Sequence, residues 1–200
     1  MQVRRKQPEE TRQSILAAAG EVFGRCGYAG GALADIVTAA GLTKGALFHH
    51  FPDKRSLALA WIGERLATEI AGLWLEPLAQ MSSLDELKRH CQMRIGGLSG
   101  RDATLTLVAL AAELGVAGDE TLAGALDKLF ADWQTAVAGV LERGREAGGV
   151  FRSVKPAVEA VLLVATLAGM AVTVGRSSES AKHQAATSLG DYLDTLRAQD

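Results

Sequence analysis

Apolar residues recur at intervals of three and four along most of the chain, and this 3.6-residue rhythm predicts an all-α protein. Glycine and proline interrupt the rhythm, and Ser, Thr or Asp precedes several periodic segments as a helix N-cap. We expect about nine helices, over residues 8–26, 33–40, 43–51, 53–80, 83–95, 104–116, 122–145, 156–175 and 181–196.

The most apolar segment is VEAVLLVATLAGMAVTVG, which follows Pro156 and carries no charge over residues 160–175. A membrane-spanning helix needs roughly 20 apolar residues, whereas this run is shorter and is bounded by Glu159 and Arg176. A helix that is apolar on all sides is typically buried on all sides. We therefore expect no membrane span, and a helix that packs on its own body and on a second surface.

Residues 33–54, LADIVTAAGLTKGALFHHFPDK, have the pattern of two short helices joined at a glycine. Leu33, Ile36 and Val37 share one face of the first helix. Gly41 is suited to the left-handed backbone that ends a helix, and Leu42 can fill the corner after it. The pattern predicts a tight helix-turn-helix.

The second of these helices presents two different faces. Thr43 is placed to cap its first turn, and Leu47 and Phe51 lie four residues apart on the inward side. The outward side combines small residues, which allow close approach to a groove, with side chains that donate to bases or phosphates: Lys44, Gly45, Ala46 and His49. The spacing fits a DNA-recognition helix, and it also fits a helical hairpin with a solvated polar face.

Residues 11–59 resemble the DNA-binding domain of the tetracycline-repressor (TetR) family. The resemblance is carried by TRQSILAAAGEVFGRCGY, by DIVTAAGLTKGALFHHFPDK and by Ser56-Leu57 after them. It implies an N-terminal three-helix helix-turn-helix DNA-binding domain over residues 1–53 and a C-terminal helical ligand-binding and dimerisation domain over residues 54–200. It also implies that a ligand releases the DNA operator.

Transferred position by position, the resemblance assigns two sets of DNA-binding residues. Those expected to face bases are Lys44, Gly45, Ala46 and His49, and those expected near the sugar-phosphate backbone are Thr43, Phe48, His50 and Lys54. Two departures remove phosphate contacts, because many relatives have a hydroxyl residue at the position of Gly31 or Ala32 and most have Tyr at that of Phe48. A basic arm at residues 4–6 could reach the DNA or be a solvated tail.

The resemblance also implies a homodimer, because the last two predicted helices are similar to the pair that forms the dimer interface in the family. We expect the effector to bind between the long fourth helix and the rest of the C-terminal domain, which we call the body. The residues expected near it are Trp74, Met81, Cys91, Met93, Trp133, Thr166 and Met170. The Met and Trp residues among them suit a plain core better than a ligand contact. Charged residues rarely interrupt the apolar stripes of the body, so a mostly apolar or aromatic small molecule is expected.

Composition narrows the remaining possibilities. Of 200 residues, 48% are hydrophobic and the formal net charge is -2, with a basic excess confined to residues 1–55. Cys26 and Cys91 have no Cys or His partners at metal-ligand spacing, and adjacent His49 and His50 point about 100° apart on a helix. We expect buried thiols, no metal and no cofactor. The start, MQVRRKQPEE, lacks the apolar core of a signal peptide, so we expect a cytoplasmic protein.

No glycine-rich phosphate loop, helix-borne His-Glu motif or recognisable nucleophile signature occurs, so we do not expect an enzyme. The interpretation is a dimeric repressor that binds a palindromic double-stranded DNA operator and is released by a small molecule. Two alternatives stay open: a DNA-binding or interaction protein of the same fold without a small-molecule effector, and a ligand-binding protein whose DNA-binding domain has decayed.

Overall fold

The computed structural model describes residues 8–100 and 102–198, and these residues form nine helices, as expected for an all-α protein. The basic arm at residues 4–6 lies outside this range. We number the helices α1 (Pro8–Gly30), α2 (Leu33–Ala40), α3 (Lys44–His50), α4 (Lys54 to Gln80), α5 (Leu84–Gly96), α6 (Ala103–Ala117), α7 (Glu120–Glu146), α8 (Pro156–Val174) and α9 (Glu179–Asp194).

Helix α4 is not a uniform α-helix. The α-helical segments Lys54–Trp61, Ala67–Ile70 and Glu76–Gln80 are separated by two π-helical turns, Ile62–Leu66 and Ala71–Leu75. Such widened turns are rare and occur frequently at functional sites. The spacing of apolar residues did not predict them.

A proline accounts for one irregularity of α4. Pro77 has no N–H group, so the carbonyl of Leu73, four residues earlier, lacks its usual helical donor. The ring nitrogen Nε2 of His90 lies 3.1 Å from this carbonyl oxygen and can donate to it. Burial lowers the pKa of His90, and the nearby charge of Arg94 acts in the same direction. A neutral His90 can therefore supply the donor that Pro77 does not give to Leu73.

Helix ends follow the signals in the sequence. Gly41 adopts the left-handed conformation (φ 64°, ψ 34°) after α2, and the N–H of Leu42 bonds to the carbonyl of Val37 at 3.1 Å. Asp53 and Ser56 form a capping box at the start of α4, and Ser83 and Glu86 form another at the start of α5. These ends were predicted because each depends on residues adjacent in the chain.

The chain divides into two compact units. Unit 1 contains the described residues up to Thr68 together with Ala109–Leu126, and unit 2 contains Glu69–Val108 and the described residues from Asp127 onward. Helices α4, α6 and α7 therefore contribute to both units. These units are defined by packing, whereas the boundary expected after residue 53 separates a DNA-binding from a ligand-binding domain. That functional boundary stays a prediction.

The core of unit 1 is apolar and partly aromatic. The ring of Phe23 on α1 lies 5.5 Å from Trp61 on α4 and 6.0 Å from Tyr28, measured between centroids. At the edge of this core the Arg12 guanidinium pairs with Glu64 and stands 5.4 Å over the ring of Phe51. Other fully buried members are Ile15, Leu16, Ala19, Val22, Ile36, Leu47 and Leu57.

The core of unit 2 is built around two indole rings. Trp74 on α4 and Trp133 on α7 are both fully buried, and their ring centroids are 4.4 Å apart. Arg143 on α7 holds the end of α4, because its guanidinium donates to the carbonyls of Met81 at 2.7 Å and Leu78 at 2.8 Å. Buried leucines and other aliphatic residues surround them, including Leu87, Ile95, Leu107, Val137, Leu163, Leu167, Leu189 and Leu193.

Helix α8 is only partly covered within one chain. Its buried residues, Ala160, Leu163, Val164, Leu167 and Ala171, keep helical spacing and form one face. Val158, Val161, Leu162 and Val172 are at least 50% exposed. The helix is long and apolar enough to cross a membrane, with a mean hydropathy of 2.1, which core helices of soluble proteins also reach. Packing on its own body, as predicted for one side, is confirmed.

Candidate nucleic-acid interface and ligand site

Helix α3 is fixed by contacts at both of its ends. The hydroxyl of Thr43 accepts a hydrogen bond from the N–H of Ala46 at 3.2 Å, which confirms the predicted N-cap. Leu47 and Phe51 are buried at 1% and 4% exposure, as their spacing predicted. A seven-residue helix has little stability by itself, so these anchors determine which face of α3 is turned outward.

The outward face of α3, which we call the reading face, consists of Lys44, Gly45, Ala46 and His49. Lys44, Gly45 and His49 are exposed and Ala46 is partly exposed. Beside this face, Phe48 is 39% exposed, and the ammonium group of Lys44 stands 5.7 Å over its ring. His50 is partly exposed, and its ring meets the edge of His49 at 5.4 Å. The reading face therefore exposes the Lys44 ammonium group and the His49 ring to solvent.

Gly45 is not required by the packing of the protein. A Cβ atom added there would meet no atom of residues 8–100 and 102–198 within 4 Å. Glycine within a helix costs up to about 1 kcal/mol relative to alanine. A glycine that the fold does not need, placed on the reading face, is consistent with close approach of the backbone to a ligand as large as DNA.

Gly31, by contrast, is required by the fold. A Cβ atom added there would lie 2.8 Å from Cδ1 of Phe23 and 3.0 Å from the carbonyl oxygen of Gly27. Ala32 is the N-cap of α2 and provides no side-chain hydrogen bond. The absence of a side chain at position 31 therefore has a packing reason within unit 1, whereas no contact explains Ala32 at the N-cap of α2.

Lys54 is partly exposed and also binds groups of the protein itself. Its ammonium group donates to the carbonyl of Ala29 at 3.1 Å and stands 4.7 Å from the centroid of the Tyr28 ring. Burial lowers its pKa, and the carboxylate of Glu113 acts in the opposite direction. Sequence reasoning placed Lys54 near the DNA backbone, whereas here it also ties α4 to the α1–α2 connection.

Two acidic residues of unit 1 were missed by sequence reasoning. The carboxylate of Glu113 on α6 accepts hydrogen bonds from the N–H groups of Tyr28 at 2.8 Å and Ala29 at 2.5 Å. Asp119 binds the Arg55 guanidinium through both carboxylate oxygens, with the shortest contact at 2.9 Å. Both partners are more than 60 residues away in the chain, so no local signal could have revealed them.

Of the predicted ligand-binding residues, the structure brings two into direct ring contact, Trp74 and Trp133. Cys91 is also buried, and burial raises the pKa of its thiol to about 12, so it is unreactive. Met93 is 63% exposed, although the interpretation needed it inside. Met81, Met170 and Thr166 are partly exposed, and the Thr166 hydroxyl donates to the carbonyl of Leu162 at 2.8 Å. Cys26, expected to be buried, is exposed.

The buried rings belong to a polar network that the sequence did not indicate. The indole N–H of Trp74 donates to the Thr104 hydroxyl at 2.9 Å, and His90 meets the Trp74 ring edge-on at 5.3 Å. Asp102 accepts from the N–H of Thr104 at 2.8 Å and pairs with Arg94. We call this set the tryptophan cluster: Trp74, His90, Arg94, Asp102, Thr104 and Trp133.

A separate surface groove of about 320 Å³ lies beside α5 and α9. Its lining shares no residue with the predicted ligand set and consists of Gln92, Gly96, Glu179, His183, Ala186 and Thr187. Over residues 8–100 and 102–198 no group of three or more His, Cys, Asp and Glu side chains could hold a metal ion.

Comparison with known proteins identifies similar chains. Residues 15–61 match the family of bacterial regulatory proteins called tetR. The A-factor receptor protein of Streptomyces griseus is 32% identical over 161 residues, which cover 80% of this chain and 54% of that protein. The regulator CymR of Pseudomonas putida is 45% identical over 69 residues, 34% of its length. The chain thus matches about half or less of the length of these curated relatives.

Solved structures extend the similarity to nearly the whole chain. A TetR transcriptional regulator from Chloroflexus aurantiacus has a TM-score of 0.79 and 26% identity, with 96% of this chain and 98% of that chain covered. A second regulator, from Agrobacterium tumefaciens, has a TM-score of 0.79 at 23% identity and so is similar in fold. The sequence resemblance of residues 11–59 and the all-α architecture agree with these findings.

Proposed function

Because this chain belongs to the tetR family of bacterial regulatory proteins, we propose that it is a transcriptional repressor that binds a palindromic DNA operator as a homodimer and is released by a small molecule. The observation that carries the DNA-binding part is the reading face on α3, anchored by Thr43, Leu47 and Phe51. Lys44 and His49 would contact bases, and Gly45 and Ala46 would let the backbone approach the groove.

The proposed phosphate contacts surround the reading face. Thr43 and His50 lie at the two ends of α3, and Phe48 offers only its ring. The Lys54 ammonium group uses one of its three N–H donors on the carbonyl of Ala29, so it could still donate to a phosphate. The phosphate contacts would depend on backbone N–H groups together with Lys44 and Lys54.

The proposed dimer forms through α8 and α9. The exposed apolar side of α8, with Val158, Val161, Leu162 and Val172, is a surface that water would disfavour and a second copy would cover. A two-fold pair would set two reading faces roughly 34–36 Å apart, one turn of DNA. This arrangement also accounts for the apolar run of α8 without a membrane and suits the cytoplasmic location expected of a DNA-binding regulator.

The proposed effector site lies at Trp74 and Trp133 in unit 2. One relative is named a receptor for A-factor, and by this likeness the chain would respond to a small molecule. An effector changes DNA affinity only if it binds the DNA-binding conformation and the released conformation with different affinities. The coupling free energy in such systems is typically on the order of 1–3 kcal/mol. Met93, which is exposed, contributes least among the residues proposed from the sequence.

Selection of bound sequences from a random duplex pool at about 150 mM salt tests the DNA-binding part, because purely phosphate-driven binding is weak there. Recovery of a palindrome with half-sites one turn apart is the expected result. Recovery of nothing above background would reject the repressor and favour the decayed-domain alternative. Sedimentation of Leu162→Glu tests the dimer, since a charge in an apolar interface should yield a monomer, whereas an unchanged dimer would exclude this interface.

A regulator without an effector remains the second candidate, and the full burial of Trp74 and Trp133 as ordinary core residues would suit it. A thermal-shift screen separates the two. A specific effector raises the melting temperature in proportion to its saturation of the site. A regulator without an effector site shows no specific shift in melting temperature. Its affinity for the operator is the same with and without each compound tested.

A further inference from the structure

Two buried hydrogen-bond donors in unit 2 have no acceptor. The indole nitrogen of Trp133, a side chain with 0% exposure, and the Nε atom of Arg94, whose side chain is 16% exposed, find no partner in the part of the chain that the structure describes. Both residues surround Trp74, with Trp133 at 4.4 Å between ring centroids and the Arg94 guanidinium at 5.8 Å from the ring. A third such atom, Nε of Arg65, belongs to unit 1.

Unpaired buried donors are uncommon because each forfeits its hydrogen bonds to water without a replacement. The rest of the tryptophan cluster shows no such deficit. Trp74 donates to Thr104, the N–H of Thr104 donates to Asp102, and Asp102 pairs with Arg94. The polar atoms left over in this cluster are therefore donors, and a molecule that satisfies them must bring an acceptor.

The charge balance of the cluster restricts that molecule further. The guanidinium of Arg94 is already neutralised by Asp102, and His90 is held neutral by burial. An anion bound here would add a buried charge without its own counter-ion, and a cation would bring no acceptor for the two unpaired donors. An uncharged molecule with a carbonyl oxygen meets both conditions.

We propose that Trp133 donates its indole N–H to the carbonyl oxygen of an uncharged, planar small molecule bound against Trp74, with Arg94 as a further donor at the same cluster. The inference rests on the effector-regulated function proposed above and names the chemical class of the effector. Stacking against an indole ring favours a flat, unsaturated ligand. Trp74 belongs to the π turn Ala71–Leu75, so the ligand would act on an irregular turn of α4.

The test compares three planar carbonyl compounds with counterparts that lack the carbonyl group. The pairs are coumarin and 2H-chromene, chromone and 4H-chromene, and 1-tetralone and tetralin. Binding is measured by calorimetry and by thermal shift on the full chain. At least one carbonyl compound should bind wild type about tenfold more tightly than its counterpart, the value of one neutral hydrogen bond. In Trp133→Phe this tenfold preference should vanish while the carbonyl-free compound binds both proteins alike.

Trp61→Phe is the matched control, because Trp61 is a buried tryptophan of unit 1 and its loss should leave the preference unchanged. If Trp133→Phe does not fold, ¹H–¹⁵N spectra of wild type replace it: the indole N–H of Trp133 should move downfield with the carbonyl compound but not with its carbonyl-free counterpart, and that of Trp61 should stay in place with both. The proposal is overturned if no carbonyl compound binds, if the counterpart binds equally, or if the preference survives Trp133→Phe.

Operator binding in the absence of any compound is measured on the same protein. Recovery of a palindrome without carbonyl-dependent binding would reject this ligand class and leave the DNA-binding function standing. Failure to recover a palindrome would reject the repressor, whatever the probes show.

Discussion

The reading face on α3 and the tryptophan cluster in unit 2 handle polar groups in opposite ways. On the reading face Lys44 and His49 are exposed and solvated, so the fold gains little from them. In the tryptophan cluster Arg94, Asp102 and Thr104 are buried or nearly so, and each hydrogen bond there replaces one to water. Substitutions on the first surface should therefore change binding with little effect on folding, and substitutions in the second should change folding as well.

The largest expected effect on stability comes from Asp102→Ala. Asp102 is 8% exposed, and its removal leaves the Arg94 charge without a partner and the Thr104 N–H without an acceptor. Breaking a buried ion pair typically costs about 3–5 kcal/mol. Urea unfolding should show the loss, whereas Asp132→Ala, which breaks the exposed pair with Lys128, should change stability by less than about 1 kcal/mol. If the two substitutions lowered the free energy of unfolding equally, burial would not distinguish the Asp102–Arg94 pair from the Asp132–Lys128 pair.

Lys44→Ala and His49→Ala should weaken operator binding without altering the fold. A base contact is worth about 1–3 kcal/mol, so each substitution should raise the dissociation constant roughly tenfold to a hundredfold. Fluorescence anisotropy with the selected palindrome measures the loss, and urea unfolding should give the midpoint of the wild type. Arg89→Ala on α5 is the charge-matched control, outside the reading face. A loss of affinity that equals that of the control would indicate only a general charge effect.

Gly45→Ala should move stability and DNA binding in opposite directions. The added Cβ meets no protein atom, so the substitution should stabilise the chain by up to about 1 kcal/mol. If the backbone at Gly45 approaches the groove, the same methyl group should weaken operator binding. Gly31→Ala provides the reverse case, since its Cβ would collide with Phe23. A Gly45→Ala protein with unchanged operator affinity would show that no close approach occurs there.

The smallest expected effect is that of Asp119→Asn on the unfolding midpoint. Hydrogen bonds to Asp119 from Arg55 and from the N–H of Leu122 hold its pKa below the ordinary value near 4. A carboxyl whose pKa is lowered on folding stabilises the protein above its unfolded pKa and loses this contribution as pH falls through the folded pKa. Wild type should exceed Asp119→Asn in unfolding midpoint at pH 7, and the difference should shrink below about pH 4. A difference that is constant from pH 7 to pH 3 would exclude the ion pair as its source.

Much of unit 1 could be predicted because its signals are local. Gly41, Thr43 and Asp53 act on backbone groups within four residues, and the structure confirms each of these helix ends. The apolar spacing also predicted which side of α3 turns inward. The assignment of the outward residues to bases or phosphates is still a prediction, since it concerns a partner and not a feature of the chain.

The body of the protein was predictable only as a set of helices. Nothing in the spacing of Met93 distinguishes an inward from an outward residue on a short amphipathic helix, and it proved to be 63% exposed. Glu113, Asp119 and Arg143 each bind a group that is more than 60 residues away in the chain. Such contacts depend on how helices cross, which periodicity does not encode.

By itself the sequence determined the all-α class, the helix ends and the two faces of α3, because these depend on backbone hydrogen bonding and on side chains three or four residues apart. The tertiary structure alone decided that position 31 must be Gly beside Phe23 and that Lys54 binds the carbonyl of Ala29. It also decided that the buried N–H of Trp133 has no acceptor among residues 8–100 and 102–198. The physical reason is that burial and hydrogen-bond satisfaction are properties of an atom's complete surroundings, and distant segments supply most of those surroundings.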